Sequence, residues 1–247
     1  MEKVRGDIGI STTSFFYWFE DTRSNWLNRQ LEVLELIKDI FITVELHFLE
    51  RNIFEFNEEF MEKYSKKLSW FNKITLHLPS NFSDVVSPEE YNIANKKLNE
   101  IVERLNIEYC VMHANQYKKI DFNFTFPISI ENTDPRSEDY DLIKINELEK
   151  PIVLDVDHLE EKGEGVFDEQ IDLLKNKISE IHFSIPRNEY YNQFKEIITP
   201  HFLAYKSDYN IPKKIPKDKI WIIEGVIPNN RMDMLEGEVK LIEKYKN

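Results

Sequence analysis

The sequence predicts an α/β protein built as a single (β/α)8 TIM barrel over residues 1–247. Eight short apolar segments of strand type recur along the chain, and amphipathic segments of helical period separate most of them. No linker rich in glycine, serine or proline divides the sequence. With 247 residues, 41% of them hydrophobic, the chain can bury the core of one large domain. An open doubly wound sheet is the alternative fold, although such sheets usually have fewer strands and a glycine-rich first turn.

The predicted strands are short runs of apolar, often β-branched residues. They are 8–11, 42–46, 74–78, 109–112, 127–130, 151–154, 178–183 and 220–223. Runs this short and this apolar are typical of buried parallel strands. The sequence HFLAY at 201–205 is also of strand type, either as an extra strand or as the barrel strand itself. We assign the last barrel strand to 220–223.

Amphipathic segments predict the helices between these strands. Long helices are expected over 26–37, 56–68 and 91–105, and shorter ones over 171–174, 190–198 and 234–242. The helix over 91–105 has the clearest start, because Ser87 and Glu90 form a capping box with Pro88 at the first helical position. Strands that alternate with helices in this way favour a parallel barrel.

Composition argues against several classes of function. The formal net charge of −13 counts against a general nucleic-acid binder, although cations held by acidic side chains can make a site locally positive. Only six glycines occur, without a GxGxxG or GxxxxGK[ST] pattern, so a nucleotide-phosphate loop is not expected. Because no apolar run approaches membrane-spanning length and no signal-type segment follows the N-terminus, we expect a soluble, cytoplasmic protein without a membrane partner. The sequence indicates no oligomeric state.

Titratable side chains stand at or just past the carboxyl ends of most predicted strands. They are Glu45, His47, His77, His113, Glu131, Asp155, His158, His182 and Glu224. In a (β/α)8 barrel these strand ends converge on one mouth, so residues distant in sequence meet there. A mixture of imidazoles and carboxylates suits Zn²⁺, Mn²⁺, Fe²⁺ or Co²⁺ better than Ca²⁺ or Mg²⁺. The pattern therefore predicts one or two divalent transition-metal ions at the mouth.

The strand-end motifs point to a known family. In order they read LHLP, VMHA, SIENT, LDVDH, EIHFS and IIEG. This order resembles the xylose isomerase-like TIM barrel superfamily, which includes sugar isomerases and epimerases and the endonuclease IV group of abasic-site nucleases. In its epimerases, one metal is held by Glu, Asp, His and Glu from strands five to eight. The resemblance thus implies as metal ligands Glu131, Asp155, His182 and Glu224.

The nuclease branch of the superfamily adds histidines that also have counterparts here. The resemblance matches them to His77, His113 and His158, and it implies a possible second metal between His77, His113 and a bridging Glu131. The third metal of that branch needs an Asp-x-His pair in the loop after strand seven, and no such pair occurs here before Glu224. The sequence also departs at Ile185, where many relatives have an acidic residue.

Three alternative functions follow from the resemblance. The first is a divalent-metal-dependent isomerase or epimerase of a sugar or sugar phosphate, which acts through a metal-stabilised enediolate with Glu131 and Glu224 as acid and base. The second is an endonuclease IV-like, metal-dependent abasic-site phosphodiesterase, which His77 and His113 favour but the acidic charge and the missing loop ligands disfavour. The third is a non-catalytic barrel that binds a sugar or a metal, suggested by the altered segment at Ile185.

Three further residues are candidates for substrate contacts. The resemblance implies that His158 touches the sugar, while Arg187 either binds a sugar hydroxyl or phosphate or is a solvated loop residue. Glu45 alternates with His47 on the second strand, so the two share a face. If that face points into the barrel, Glu45 can orient a ligand histidine. The sequence does not specify the substrate, because the 186–219 connection departs furthest from the pattern.

Overall fold

Eight parallel strands form a closed barrel in the computed structural model, which describes residues 3–49, 51–119, 124–132, 142–160, 171–185, 202–205 and 211–247. The strands are β1 (Ile8–Ser11), β2 (Thr43–His47), β3 (Lys73–His77), β4 (Cys110–His113), β5 (Ile128–Glu131), β6 (Ile152–Asp155), β7 (Ile178–Phe183) and β8 (Ile220–Ile223). Each strand pairs with the next in chain order, and β8 closes the ring against β1. The predicted fold class is confirmed, and the open-sheet alternative is wrong.

Strand boundaries differ from the prediction by one residue at five strands, and coincide with it at β1, β7 and β8. Prolines explain two of the differences. The carbonyl of Pro127 accepts a hydrogen bond from the N–H of Cys110, and the carbonyl of Pro151 accepts one from the N–H of Ile130. Neither proline can donate a ladder hydrogen bond in return, because proline has no N–H. The strands therefore begin one residue later. The strands also end one residue later than predicted, so Glu131 and Asp155 are the last residues of their strands instead of the first residues beyond them.

Helices follow the strands around the barrel. They are α1 (Thr22–Ile37), α2 (Asn52–Glu55), α3 (Glu58–Leu68), α4 (Phe82–Val85), α5 (Tyr91–Arg104), α6 (Ala114–Lys119), α7 (Leu142–Glu147), α8 (Asp157–Glu160) and α9 (Met232–Lys246). The predicted start of α5 is present as a capping interaction, with Ser87 N–H donating to Glu90 Oε2 at 3.1 Å. The first turn, Pro88–Glu90, is a 3₁₀ helix that leads into the α-helix. The helix predicted over 190–198 lies outside the described residues.

Both faces of the barrel strands are buried, as parallel strands covered by helices require. On β7, Ile181 and Phe183 belong to the apolar core, and the intervening Glu180 and His182 are fully buried as well. His182 lies 3.2 Å from Glu45 of β2, and β2 and β7 are not neighbours in the sheet. Their side chains can meet only through the barrel interior. The interior thus carries charged groups among apolar ones.

The segment 202–205 lies beside the barrel without being one of its strands. Phe202 exchanges both backbone hydrogen bonds with Ile185, at 2.8 and 2.9 Å, and forms an isolated bridge with Val226. The closing strand is Ile220–Ile223, as predicted. Within the described ranges, no helix is both long enough and apolar enough to span a bilayer.

Candidate active site

Glu131, the last residue of β5, is the centre of the polar cluster at the mouth. Its side chain is 1% exposed, and its Oε2 lies 2.8 Å from Nε2 of His77 and 2.8 Å from Nε2 of His113. Its Oε1 lies 3.0 Å from Nδ1 of His182. One buried carboxylate therefore contacts three imidazoles that come from β3, β4 and β7.

Strand register explains why these residues meet. His113 is the Cα partner of Glu131 across the β4–β5 pair, and His182 is the Cα partner of Asp155 across the β6–β7 pair. Side chains of register partners in parallel strands project from the same face at the same level. Each pair thus shares one level near the carboxyl ends of its strands, and the two pairs are offset by two residues, because Glu131 is the partner of Val153 across the β5–β6 pair. His77 ends β3 and approaches Glu131 across β4.

Four of the predicted ligands form one compact group. Donor atoms of Glu131, Asp155, His182 and Glu224 all lie within 4.8 Å of one another. Glu224 directly follows β8, and its Oε2 lies 3.2 Å from Nδ1 of His182. Ligand atoms that share one cation at about 2.0–2.2 Å are themselves about 3–4 Å apart. The spacing and the donor types fit a divalent transition metal.

A second group adjoins the first and shares Glu131. Donor atoms of His77, His113 and Glu131 also lie within 4.8 Å of one another. These are the residues that the nuclease resemblance implies for a second metal. Two nitrogen donors and one oxygen donor suit the same class of cation.

The three histidines around Glu131 alter its protonation. Burial raises the pKa of Glu131, but His113, His77 and His182 together hold it well below the ordinary value. Burial lowers the pKa of His77, but its ion pair and hydrogen bond with Glu131 raise it to about 9. His113 lies at the same distance from Glu131, but there the effect of burial outweighs that of the carboxylate, and the pKa of His113 falls below the ordinary value. In the metal-free protein His77 therefore carries the proton, and His113 is neutral.

His182 faces two groups of carboxylates. Its Nδ1 points to Glu131 and Glu224, and its Nε2 lies 3.2 Å from Oε2 of Glu45 and 3.4 Å from Oε1 of Glu180. Burial lowers the pKa of His182, but the surrounding carboxylates raise it well above the ordinary value. This histidine consequently connects the mouth with the barrel interior.

Glu45 does not lie at the mouth. It is fully buried below His182, and burial raises its pKa to about 7 despite the nearby imidazole. This position fits the expectation that Glu45 orients a ligand histidine, and it gives Glu45 no surface for substrate contact.

The remaining predicted contact residues lie beside the cluster or outside the described residues. His158, at the start of α8, donates its backbone N–H to Oδ1 of Asp155 at 3.1 Å. Its ring lies 5.7 Å from that of His113, so His158 borders the mouth. His47 stacks on His77 with 4.4 Å between ring centroids. Arg187 lies outside the described residues.

Two residues that contact the site were not among the predictions. Glu180 lies two residues before His182 on β7, and Oη of Tyr109 donates a hydrogen bond to its Oε2 at 2.8 Å. A sequence signal did exist. Glu-x-His occurs on β2, at Glu45, and again on β7, at Glu180. A glutamate two residues before a histidine within a strand places both side chains on the same face, so a histidine predicted at the mouth marks its glutamate as a neighbour of the site.

Comparisons with known proteins define the class of fold. No protein-family model matches the sequence, and no curated protein does either. Solved structures do match over nearly the whole chain, and the fold is that of the xylose isomerase-like TIM barrels. The predicted resemblance is confirmed at the level of the fold.

Three of these structures illustrate the likeness. The probable 3-DHS dehydratase AsbF of Bacillus anthracis is 14% identical, with a TM-score of 0.63 over 98% of this chain and 99% of that chain. A xylose isomerase domain protein from Planctomyces limnophilus is 11% identical, with a TM-score of 0.58 over 100% and 98%. D-Psicose 3-epimerase with D-tagatose, from Clostridium cellulolyticum H10, is 9% identical, with a TM-score of 0.57 over 97% of both chains. At these identities the likeness concerns the fold alone.

Proposed function

We propose that the protein is a divalent-metal-dependent isomerase or epimerase that acts on a sugar or sugar phosphate. The observation that carries this proposal is the convergence of four donor residues within 4.8 Å at the barrel mouth, namely Glu131, Asp155, His182 and Glu224. The D-psicose 3-epimerase described with D-tagatose has the same fold, which supports a sugar as the substrate class.

The four residues would hold Mn²⁺, Zn²⁺, Co²⁺ or Fe²⁺. When bound, such an ion supplies Lewis-acid charge that stabilises the enediolate of an α-hydroxy carbonyl compound. The chain itself supplies the proton transfers. Glu224 is 10% exposed whereas Glu131 is 1% exposed, so Glu224 is the carboxylate more open to substrate. We assign to Glu224 the removal of the substrate's α-proton.

After Glu224 has removed the α-proton, Glu131 would return a proton to the enediolate. Its Oε2 is 2.8 Å from Nε2 of His77, and the pKa of His77 is raised to about 9. His77 can therefore hold a proton at neutral pH and pass it to Glu131. The three imidazoles around Glu131 lower its pKa well below that of an ordinary glutamate, so Glu131 is ionised at rest and would act as an acid only with the proton that His77 holds.

Replacement of Glu224 by glutamine tests the proposal. Glu224→Gln keeps the size of the side chain and an oxygen able to bind a cation, but it removes the base. With metal-loaded wild type in D₂O, we expect deuterium to enter one member of a panel of ketoses and ketose phosphates. In Glu224→Gln the exchange rate should fall by about 10²–10⁴-fold, the usual contribution of a general base.

Glu238→Gln is the matched control, because Glu238 is also buried but belongs to α9. This variant should exchange at the wild-type rate. If metal-loaded wild type exchanges no deuterium into any member of the panel, the isomerase proposal fails. Sugar binding without exchange would leave the non-catalytic barrel. Exchange into 3-DHS, the compound for which the probable 3-DHS dehydratase AsbF is named, would redirect the proposal to dehydration.

Abasic-site phosphodiester cleavage is the second candidate. The second donor group, in which His77 and His113 both lie 2.8 Å from Glu131, favours it, since paired cations are common cofactors of phosphodiesterases. The net charge of −13 and the missing Asp-x-His pair count against it. Metal-dependent nicking of an abasic-site duplex by wild type, without deuterium exchange into any sugar, would favour this function.

A further inference from the structure

A separate group of polar side chains lies inside the barrel, below the mouth. It consists of Glu45 on β2, Glu180 on β7 and Nε2 of His182, and we call it the inner cluster. Glu45, Glu180 and His182 have no exposed surface. One donor atom from each residue lies within 4.8 Å of the others. The Nδ1 face of His182 belongs to the mouth, so only its Nε2 face contributes here.

The atoms of the inner cluster lack hydrogen-bond partners. Both carboxylate oxygens of Glu45, Oε1 of Glu180 and Nε2 of His182 are buried and form no hydrogen bond. Oγ1 of Thr75, the register partner of Glu45, is buried without a partner as well. The exception is Oε2 of Glu180, which accepts from Tyr109. Among the described residues, no lysine or arginine forms an ion pair with either glutamate. The nearest charge-compensating group in the described residues is the His182 imidazole, at 3.2 and 3.4 Å. Two buried carboxylates that share one imidazole are destabilising unless a further cation is present.

The distances around Nε2 of His182 are longer than those of charge-assisted hydrogen bonds and match the spacing of ligand atoms around one cation. Charge-assisted hydrogen bonds between nitrogen and carboxylate oxygen are about 2.7–2.9 Å long. The separations from Nε2 to Glu45 and Glu180 are 3.2 and 3.4 Å. Two ligand atoms at about 2.0–2.1 Å from a tetrahedral Zn²⁺ lie about 3.3–3.4 Å apart. The two separations from Nε2 therefore match those between corners of a tetrahedral site, and the donor atoms of the two glutamates lie within 4.8 Å of each other.

We propose that the inner cluster binds a divalent transition-metal ion through Glu45, Glu180 and Nε2 of His182, in addition to any ion held at the mouth. Nε2 would lose its proton on binding, so His182 would bridge the two sites, with Nδ1 toward the mouth and Nε2 toward the interior. The inner ion would offset the charge of two buried carboxylates and fix the orientation of the His182 ring. The proposal does not depend on the reaction at the mouth.

Metal content in matched variants tests this proposal. Glu180 contributes to the inner cluster alone, so Glu180→Ala, which removes the donor oxygen, should contain about one equivalent less Zn²⁺ than wild type by elemental analysis after stripping and reloading. Asp155→Ala should lose metal from the mouth instead, because Asp155 belongs to the mouth group alone. Glu238→Ala, at a buried glutamate of α9, should retain the full wild-type content. Equal metal content in Glu180→Ala and wild type would overturn the proposal.

Anomalous diffraction from Zn²⁺-loaded wild-type crystals provides a measurement that does not depend on the folding of a variant. We expect an anomalous peak within bonding distance of the carboxylates of Glu45 and Glu180. A peak at the mouth and none between these two glutamates would also overturn the proposal. Zn²⁺ bound at the inner cluster of a protein that exchanges no deuterium into sugars would support this proposal and contradict the isomerase proposal. The two proposals can therefore fail independently of each other.

Discussion

Glu131 is the residue that both donor groups at the mouth share. Its Oε1 faces His182 at 3.0 Å, and its Oε2 faces His77 at 2.8 Å. Any substitution of Glu131 would alter both groups and remove a proposed acid at the same time. Substitutions at Glu224 or His77 each change one group, so they are the more informative probes.

The pKa of His77 predicts how the metal-free protein responds to pH. Its pKa is about 9 in the folded protein against an ordinary 6.5, so the folded state holds a proton that the unfolded chain releases. The associated stabilisation is fully present below pH 6.5 and is lost as the pH rises through about 9. The unfolding temperature of metal-free protein should therefore fall over this range, and the loss should be at most about 3 kcal/mol.

His77→Gln is the control for this pH effect, because glutamine cannot take up the proton. The decline between pH 6.5 and about 9 should be smaller in this variant. Thermal unfolding followed by circular dichroism at a series of pH values makes the measurement. An unfolding temperature of metal-free wild type that rises over this range would contradict the assignment of the proton to His77.

At the scale of elements, the segment 202–205 is attached to the last helix by two contacts. The backbone N–H of Tyr205 donates to Oε2 of Glu238 at 2.8 Å. The ring of Tyr205 lies against Gly237, where a Cβ atom would be 2.6 Å from Cε2 of that ring. A glycine within α9 is therefore required by close packing and not by a turn.

Gly237→Ala should destabilise the protein, although alanine is the better helix former by about 1 kcal/mol. We expect a loss of about 1–3 kcal/mol in the free energy of unfolding, the usual effect of overpacking. In a Tyr205→Ala background the ring is absent, so the same substitution should be neutral or stabilising. Urea denaturation of the four proteins of this double-mutant cycle measures both effects. A stabilising Gly237→Ala in the wild-type background would show that the ring moves away at little cost.

At the scale of the whole molecule, buried negative charge makes stability depend on cations. Glu45, Glu131, Asp155 and Glu180 are all buried in and below the barrel mouth, on a chain with a net charge of −13. A cation that binds the folded state alone stabilises it by mass action. The folded barrel should therefore be more stable with metal than without it.

Removal of metal with a chelator should lower the unfolding temperature, and Mn²⁺ or Zn²⁺ should restore it. At a free metal concentration about 100-fold above Kd, the gain is about 2.7 kcal/mol per site, which corresponds to several degrees for a chain of this length. Calorimetry across a metal titration measures the gain, and Mg²⁺ at equal ionic strength controls for screening. An unfolding temperature that does not change with Mn²⁺, Zn²⁺ or Co²⁺ would contradict metal binding at the mouth and in the interior alike.

The sequence by itself determined the barrel and most of the residues that meet at its mouth. Apolar runs of strand length alternate with amphipathic helices, and such strands are fully buried only in a parallel sheet covered by helices. Because the carboxyl ends of barrel strands converge, His77, His113, Glu131 and His182 could be grouped without coordinates. The strands predicted to begin at Pro127 and Pro151 begin one residue later, because the pattern of apolar residues contains no information on which residues lack an N–H.

Only the tertiary structure decided which atoms face one another. Glu45 and His182 belong to strands that are not neighbours, so their contact at 3.2 Å depends on the width of the barrel and on side-chain rotation. Barrel width and side-chain rotation also explain why two donor groups share Glu131. They explain as well why His182 faces carboxylates on both sides. Local patterns in a sequence record which face of a strand a residue occupies. They do not record the distance across a closed barrel, because that distance is set by all eight strands together.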